Sequence, residues 1–228
     1  MIVKLDPSRI DEVSRVHDAL DPDSFLHGAG YGQRFKREIF YPAIVRSPDA
    51  ACFIYLFEGK IVGYLGLVKN AGQFYCRETI LKNFFRVLTL SFLAFLNRPG
   101  VLFEVPAQIF SINRYLKEGR LTQIQAAMVS FGVLEAYRNP LLKEGRKVRI
   151  SHELFEAAAR QFKVWRCSNF KLYTAGKNKA ALAFYLQLGG RFTDSLGSQV
   201  GFYFDTEEVL RETEKSRYNV NLSTGSHF

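Results

Sequence analysis

Three observations predict a mixed α/β (α+β) fold for this chain. Residues 51–68 carry a hairpin signature, residues 125–188 run strand, basic loop, helix, strand, helix, and the composition is ordinary for a globular protein at 47% hydrophobic and 23% charged. At 228 residues the chain makes one large domain or two small ones. A chain of that size buries about 70% of its unfolded surface, enough for a core without staples.

Residues 2–5 form a short apolar strand, after which Asp6, Pro7 and Ser8 supply cap and first-turn chemistry for a helix to about Leu20. Its Ile10, Val13, Val16 and Leu20 recur at helical spacing. The polar, glycine-containing residues 21–32 read as a loop, and a second helix follows over about 32–45. Two β-rich runs, 51–57 and 61–68, flank the polar turn Glu58-Gly59-Lys60.

Residues 79–97, TILKNFFRVLTLSFLAFLN, approach the length of a membrane span, but Lys82, Asn83 and Arg86 interrupt them. The uninterrupted part, 87–96, is too short to cross. It reads as a buried amphipathic helix ended by Asn97, Arg98, Pro99 and Gly100; the alternative is a helix lying on a membrane or covering a lipid-like substrate, which its Phe/Leu face and flanking cations suit. A weaker helical stretch covers 107–116.

Beyond it, QAAMVSFGVLE at 125–135 is a strand with Val129, Phe131 and Val133 on one side. The basic loop then leads to a helix over 151–162, with Leu154, Phe155, Ala158, Ala159 and Phe162 on one face. A strand at 170–174 and a helix at 178–188 come next, the latter ended by Gly189 and Gly190. Strands at 191–194 and 199–204 close the fold, leaving a charged, then polar and frayed tail after Asp205.

The net charge of +9 is unevenly placed. Nine cations balance nine anions over residues 1–76, whereas 77–149 hold twelve cations against five anions. Arg138, Lys143, Arg146, Lys147 and Arg149 cluster there against Glu144. Such a cluster is either a solvated surface or a site for a polyanion, nucleic acid or a phosphorylated cofactor. Nucleic acid is the weaker partner, because the aromatics fall at core positions instead of alternating with the cations as stacking platforms. Cys52, Cys76 and Cys167 form neither a CxxC nor a Cys/His ligand pattern, so no zinc site or disulfide framework is expected. The cysteine usage and an N-terminus without an apolar signal-peptide core lead to the expectation of a cytoplasmic protein.

A helix N-terminus following a strand accepts phosphate through its backbone N–H groups and dipole, which puts the cations of 138–149 in the right place to hold one. Here the sequence resembles the GCN5-related N-acetyltransferases (GNAT). Residues 178–189, NKAALAFYLQLG, fit the pattern N-x-x-A-x-x-F-Y-x-x-x-G at Asn178, Ala181, Phe184, Tyr185 and Gly189. Residues 129–138, VSFGVLEAYR, are similar to the family's fourth strand with its V-x-x-x-Y-R ending. The order of elements fits over nearly the whole chain, with an apolar helical insertion at about 74–119.

The resemblance implies one domain over 1–228, with a mostly antiparallel central sheet and helices on both faces. It implies an N-acyltransferase that moves an acetyl or other short acyl group from acyl-coenzyme A to a primary amine by direct attack in a ternary complex. Phe131 and Val133, with Gly132 between them, would present backbone groups to the pantetheine arm, and Asn178 would bond the same arm. Tyr185 would protonate the departing thiolate; a phenol near about 10 suits a thiol near about 8.5, and such a donor is worth roughly 10²- to 10⁴-fold in rate. Without the pattern around it, Tyr185 would read as a helix tyrosine lying on the sheet.

The family's phosphate loop, R-G-x-G-x-G/A, aligns with Arg146, Lys147, Val148, Arg149, Ile150 and Ser151, following Arg138 after about eight extra residues. Lys147, Arg149 and Ser151 stand where the family has glycines. Either the cations hold the phosphates with side chains, or the chain is a non-catalytic GNAT-like binding protein with a degenerate phosphate loop. The concentration of charge favours the first. For the general base, Glu104, Glu135, His152 and a water chain are all open, Glu135 being placed at the strand end near the acyl group. His17, His27 and His227 read as surface or internally satisfied histidines. The acceptor would enter between the 21–32 loop and the insertion. An apolar insertion suits an acceptor larger than an amino acid, such as an amino sugar on a nucleotide or lipid carrier.

Overall fold

A computed structural model describes residues 1–20, 31–97, 124–138, 141–143, 146–196 and 198–222. Strands β1 (Ile2–Lys4), β2 (Ala50–Phe57) and β3 (Lys60–Val68) pair antiparallel in sequence order. Glu58 and Gly59, at φ +50° and +78°, form the β2–β3 turn in the left-handed conformation that a two-residue hairpin requires. The full sheet has seven strands, adding β4 (Ala127–Val133), β7 (Asn169–Ala175), β8 (Arg191–Leu196) and β9 (Gln199–Asp205) in the order β1-β2-β3-β4-β7-β9-β8. All its neighbours are antiparallel except β4 and β7.

One face of the sheet is covered by α1 (Ile10–Leu20), α2 (Tyr31–Phe35) and α3 (Tyr41–Arg46), with a π-helical turn at Lys36–Phe40 between the last two. Pro42 has no N–H to offer the carbonyl of Glu38 four residues back, and Arg86 donates to that oxygen at 3.4 Å. A short α4 (Ala71–Gln73), a π-helical turn at Phe74–Ile80 and a 3₁₀ turn at Leu81–Asn83 then lead into α5 (Phe84–Asn97), which packs on α2. The opposite face holds α6 (Ile150–Val164), α7 (Lys179–Gln187) and α8 (Thr206–Leu222) over a core rich in stacked rings, Phe162–Phe170 at 4.5 Å and Phe170–Phe204 at 5.0 Å among them.

The structure departs from the sequence expectations at four places. Within the expected basic loop, β5 (Leu141–Lys143) and β6 (Arg146–Val148) pair antiparallel as a small ribbon of their own. The tail after Asp205 is not frayed at its start but forms α8, capped by Asp205, whose Oδ1 accepts from the N–H groups of Glu207 and Glu208 at 3.0 and 2.9 Å, and anchored by fully buried Val209. Helix α5 is not buried: Phe84, Phe85, Leu88, Phe92 and Leu96 are all exposed.

The fourth concerns β4. Leu67 pairs with Met128 but Gly66 pairs with Ser130, so Val129 is an extra, bulged residue. The bulge turns Val129 to the α1/α3 face while Phe131 and Val133 face α6 and α7. The predicted helix at 107–116 lies outside the described residues, as does most of the 21–32 loop.

Candidate active site

Strands β4 and β7 are in register at a single described pair, Ala127 with Lys171, where the Lys171 N–H donates to Ala126 at 3.0 Å. Past that pair no ladder joins them. The gap between the strands is a pocket of about 400 Å³, lined by Met128 to Val133 of β4 and Leu172 to Thr174 of β7, with Leu20 from α1 at one wall and Ser151, Asn178, Phe184 and Tyr185 at the other. A volume of that order suits a small-molecule ligand.

Of the strand residues expected to meet a ligand, Phe131, Gly132 and Val133 all line the pocket. The Phe131 ring is spent on packing, stacked on Phe184 at 6.0 Å and edge-on to Phe155 at 5.2 Å, which leaves its backbone for the gap. Gly132 is where α1 and β3 close on β4: an added Cβ would lie 2.7 Å from Leu20 Cδ1 and 3.0 Å from Tyr64 Cε1. Val133 is buried, and its carbonyl accepts from Arg138 Nε at 3.1 Å, which fixes Arg138 at the pocket edge.

The expected phosphate segment is divided. Arg146, Lys147 and Val148 form β6, and its register sets Lys143 opposite Arg146 and Leu142 opposite Lys147. Arg149 is the N-cap of α6 in extended conformation, without a side-chain capping bond. The Ile150 side chain is buried in the core beside Gly63. Ser151 lines the pocket. Two buried nitrogens, Arg149 Nε and His152 Nδ1, have no hydrogen-bond partner among the described residues. His152 stands edge-on to Phe184 at 5.2 Å; burial first and Arg149 second hold its pKa down to about 4, so it is neutral at pH 7.

On the α7 wall, Asn178 lines the pocket and is also the helix N-cap. Gly189, at φ +80°, ends the helix in the left-handed conformation a C-terminal glycine supplies. Tyr185 is buried among Phe155, Phe184, Phe202 and Phe204, and burial pushes its phenol up, keeping it protonated. It packs in the core on the sheet and also lines the pocket. Glu135 is not brought in: it sits exposed in a 3₁₀ turn at Glu135–Tyr137, outside the pocket lining. Glu104 lies outside the described residues.

Sequence reasoning missed the polar group behind Gly132. His17 Nδ1 lies 2.9 Å from Tyr41 Oη and its ring is 4.9 Å from that of Tyr64, the cross-strand partner of Gly132. Burial, then Lys36, lowers the His17 pKa to about 3. Lys36 itself is paired with Asp18 at 2.6 Å in the same layer. Among the described residues no group of His, Cys, Asp and Glu could hold a metal ion, and no helix is long and apolar enough to cross a membrane.

No protein-family model matches the chain, and no curated protein is similar to it in sequence. Solved structures are similar in fold. SsHAT superposes with a TM-score of 0.63 at 14% identity over 90% of this chain and 98% of its own. An acetyltransferase of the GNAT family from Staphylococcus aureus Mu50 and the PaiA N-acetyltransferase from Thermoplasma acidophilum, the latter in complex with coenzyme A, each give 0.55 at 14% identity over the same shares. The parted β4 and β7 and the seven-stranded order thus belong to a chain with the fold of the GCN5-related N-acetyltransferases.

Proposed function

We propose that this protein is an N-acyltransferase that moves an acetyl or other short acyl group from acyl-coenzyme A to a primary amine. The observation that carries this reading is the gap between β4 and β7, because it offers strand backbone to an extended ligand while holding Tyr185 in one wall. The amide-bearing pantetheine arm fits beside Phe131, Gly132 and Val133 as an added strand would, and Asn178 faces it from α7. Arg138, the α6 N-terminus with Ser151, and the cations of β6 and Arg149 supply positive potential for the phosphates.

The amine nitrogen attacks the thioester carbonyl, the tetrahedral intermediate collapses, and the C–S bond breaks. Tyr185 hands its phenolic proton to the departing sulfur, and the surplus amine proton, passed on by water or a base, restores the phenol. Burial keeps Tyr185 protonated up to alkaline pH, so the proton is in place when the sulfur leaves, and it also widens the acidity gap between phenol and thiol that the transfer has to cross. The Leu20 wall is the side on which the acceptor would approach, and an apolar insertion in the chain suits an amine on a carrier larger than an amino acid.

A second reading, a GNAT-like binding protein without turnover, is favoured by two observations: a ribbon replaces the glycine loop, and Glu135 stays outside the pocket. Calorimetry and thermal shift with acetyl-coenzyme A, followed by coenzyme release on an amine library, separate the two. Binding with turnover is expected; binding without turnover, or no binding at all, would overturn the enzyme reading and leave the second.

A further inference from the structure

We infer that α5 docks this protein onto an anionic membrane surface. Leu81, Phe84, Phe85, Leu88, Phe92 and Leu96 recur at helical spacing and are all exposed, Phe85 by 80%. Isolated surface apolar residues are ordinary, but a continuous stripe of six with three phenylalanines marks a contact surface.

The stripe is held outward rigidly. On the opposite side of the helix Leu90 is buried, and Asn83 is fixed at its base by donating to Glu78 and Thr79 carbonyls at 2.9 and 3.0 Å and accepting from Arg46 at 3.4 Å. Arg86 reaches across to the Glu38 carbonyl.

The flanking charge chooses the partner. Arg77, Lys82 and Arg86 are exposed and α5 itself carries no acidic residue; of the described anions nearby, Glu78 is largely covered and bonded to Lys82 at 2.7 Å, with Arg77 at 3.9 Å, and Glu38 is bonded to Arg37 at 3.0 Å. A second copy of the chain would bring these cations towards one another in a protein of net charge +9. Anionic lipid headgroups pair with them while the phenylalanines enter the acyl boundary. At about 1.5 Å per residue α5 is about 21 Å long, shorter than the hydrocarbon layer of about 30 Å, so it lies in the interface plane. Docking would set the α1–α2 layer, and with it the Leu20 wall of the pocket, beside the headgroups. The inference does not depend on acyl transfer.

The test is co-sedimentation of the full chain with phosphatidylglycerol-rich and with pure phosphatidylcholine vesicles. Binding to the anionic vesicles is expected to be roughly tenfold tighter or more, to weaken with salt, and to fall by a similar factor in Phe85→Ser plus Phe92→Ser at unchanged melting temperature. A Phe85→Trp variant, whose indole emission should shift to the blue and be quenched by brominated lipid, gives a readout that does not rely on the double variant folding. Absence of vesicle binding, equal binding by parent and double variant, or an unquenched indole would overturn the inference. So would a parent dimer that the double variant converts to monomer without any vesicle binding.

Discussion

The side-chain carbonyl of Asn178 accepts a hydrogen bond from the backbone N–H of Ala181 at 3.1 Å, so the residue expected to bond pantetheine is also the N-cap of the helix that carries Tyr185. Asn178→Ala should therefore lose about 1 kcal/mol of stability together with acyl-coenzyme A affinity. Asn178→Asp keeps a capping oxygen and should restore the melting temperature. If it also restores the KM for acyl-coenzyme A, Asn178 serves the site through the cap alone; a KM still raised in Asn178→Asp identifies direct contact with the arm. Urea melts and initial rates on both variants decide it.

Tyr185 and Phe155 lie 5.7 Å apart, and that packing survives Tyr185→Phe. The variant should fold, bind acyl-coenzyme A as the parent does, and turn over roughly tenfold more slowly or worse. Because burial raises the phenol, parent kcat should show no alkaline fall from this residue near pH 10. Unchanged kcat in Tyr185→Phe, measured by coenzyme release, would refute its role as proton donor.

How much of this could be read beforehand depended on range. The β2–β3 turn, the α6 stripe and the Asn178-to-Gly189 helix are local, and each was legible from period and cap residues. Helix α8 was also locally signalled, by Asp205 as cap with Glu207 and Glu208 in the first turn, but a polar sequence hid that Val209, Thr206 and Thr213 are buried and anchor it. The bulge at Val129 left no mark, because period two continues through valine, phenylalanine and valine while the ladder with β3 slips by a residue. The His17–Tyr41 pair joins residues 24 apart in sequence and so had no local signature. Exposure of α5 was hidden for the opposite reason: an apolar stripe looks the same whether covered or bare.

Lys147→Ala plus Arg149→Ala tests whether side-chain charge has taken over from close backbone approach at the phosphates. The double change should weaken acetyl-coenzyme A binding by roughly 10- to 100-fold, the loss of two charge-assisted contacts. S-acetylpantetheine, which lacks the nucleotide and its phosphates, should bind parent and variant alike. Calorimetry on the two ligands separates this from general damage, since an equal loss on both would point away from a phosphate role.

Stability should fall on acidification earlier than carboxylates alone would cause. His17 and His152 are held near 3 and 4, below the ordinary histidine value of 6.5. The unfolded chain takes up their protons first, so the stability they contribute is complete above pH 6.5 and is lost as pH drops from there towards 3 and 4. Each can contribute a slope of up to about 1.4 kcal/mol per pH unit. Carboxylates titrate near about 4, which leaves the window from about 6.5 to 5 to histidine. His17 is surrounded by Tyr41, Tyr64, Phe40 and the Lys36–Asp18 pair, so His17→Gln should lower stability at pH 7.5 while flattening its dependence between pH 6.5 and 5. Parallel pH profiles for parent and His17→Gln in chemical denaturation would show that this histidine is not held neutral by its surroundings.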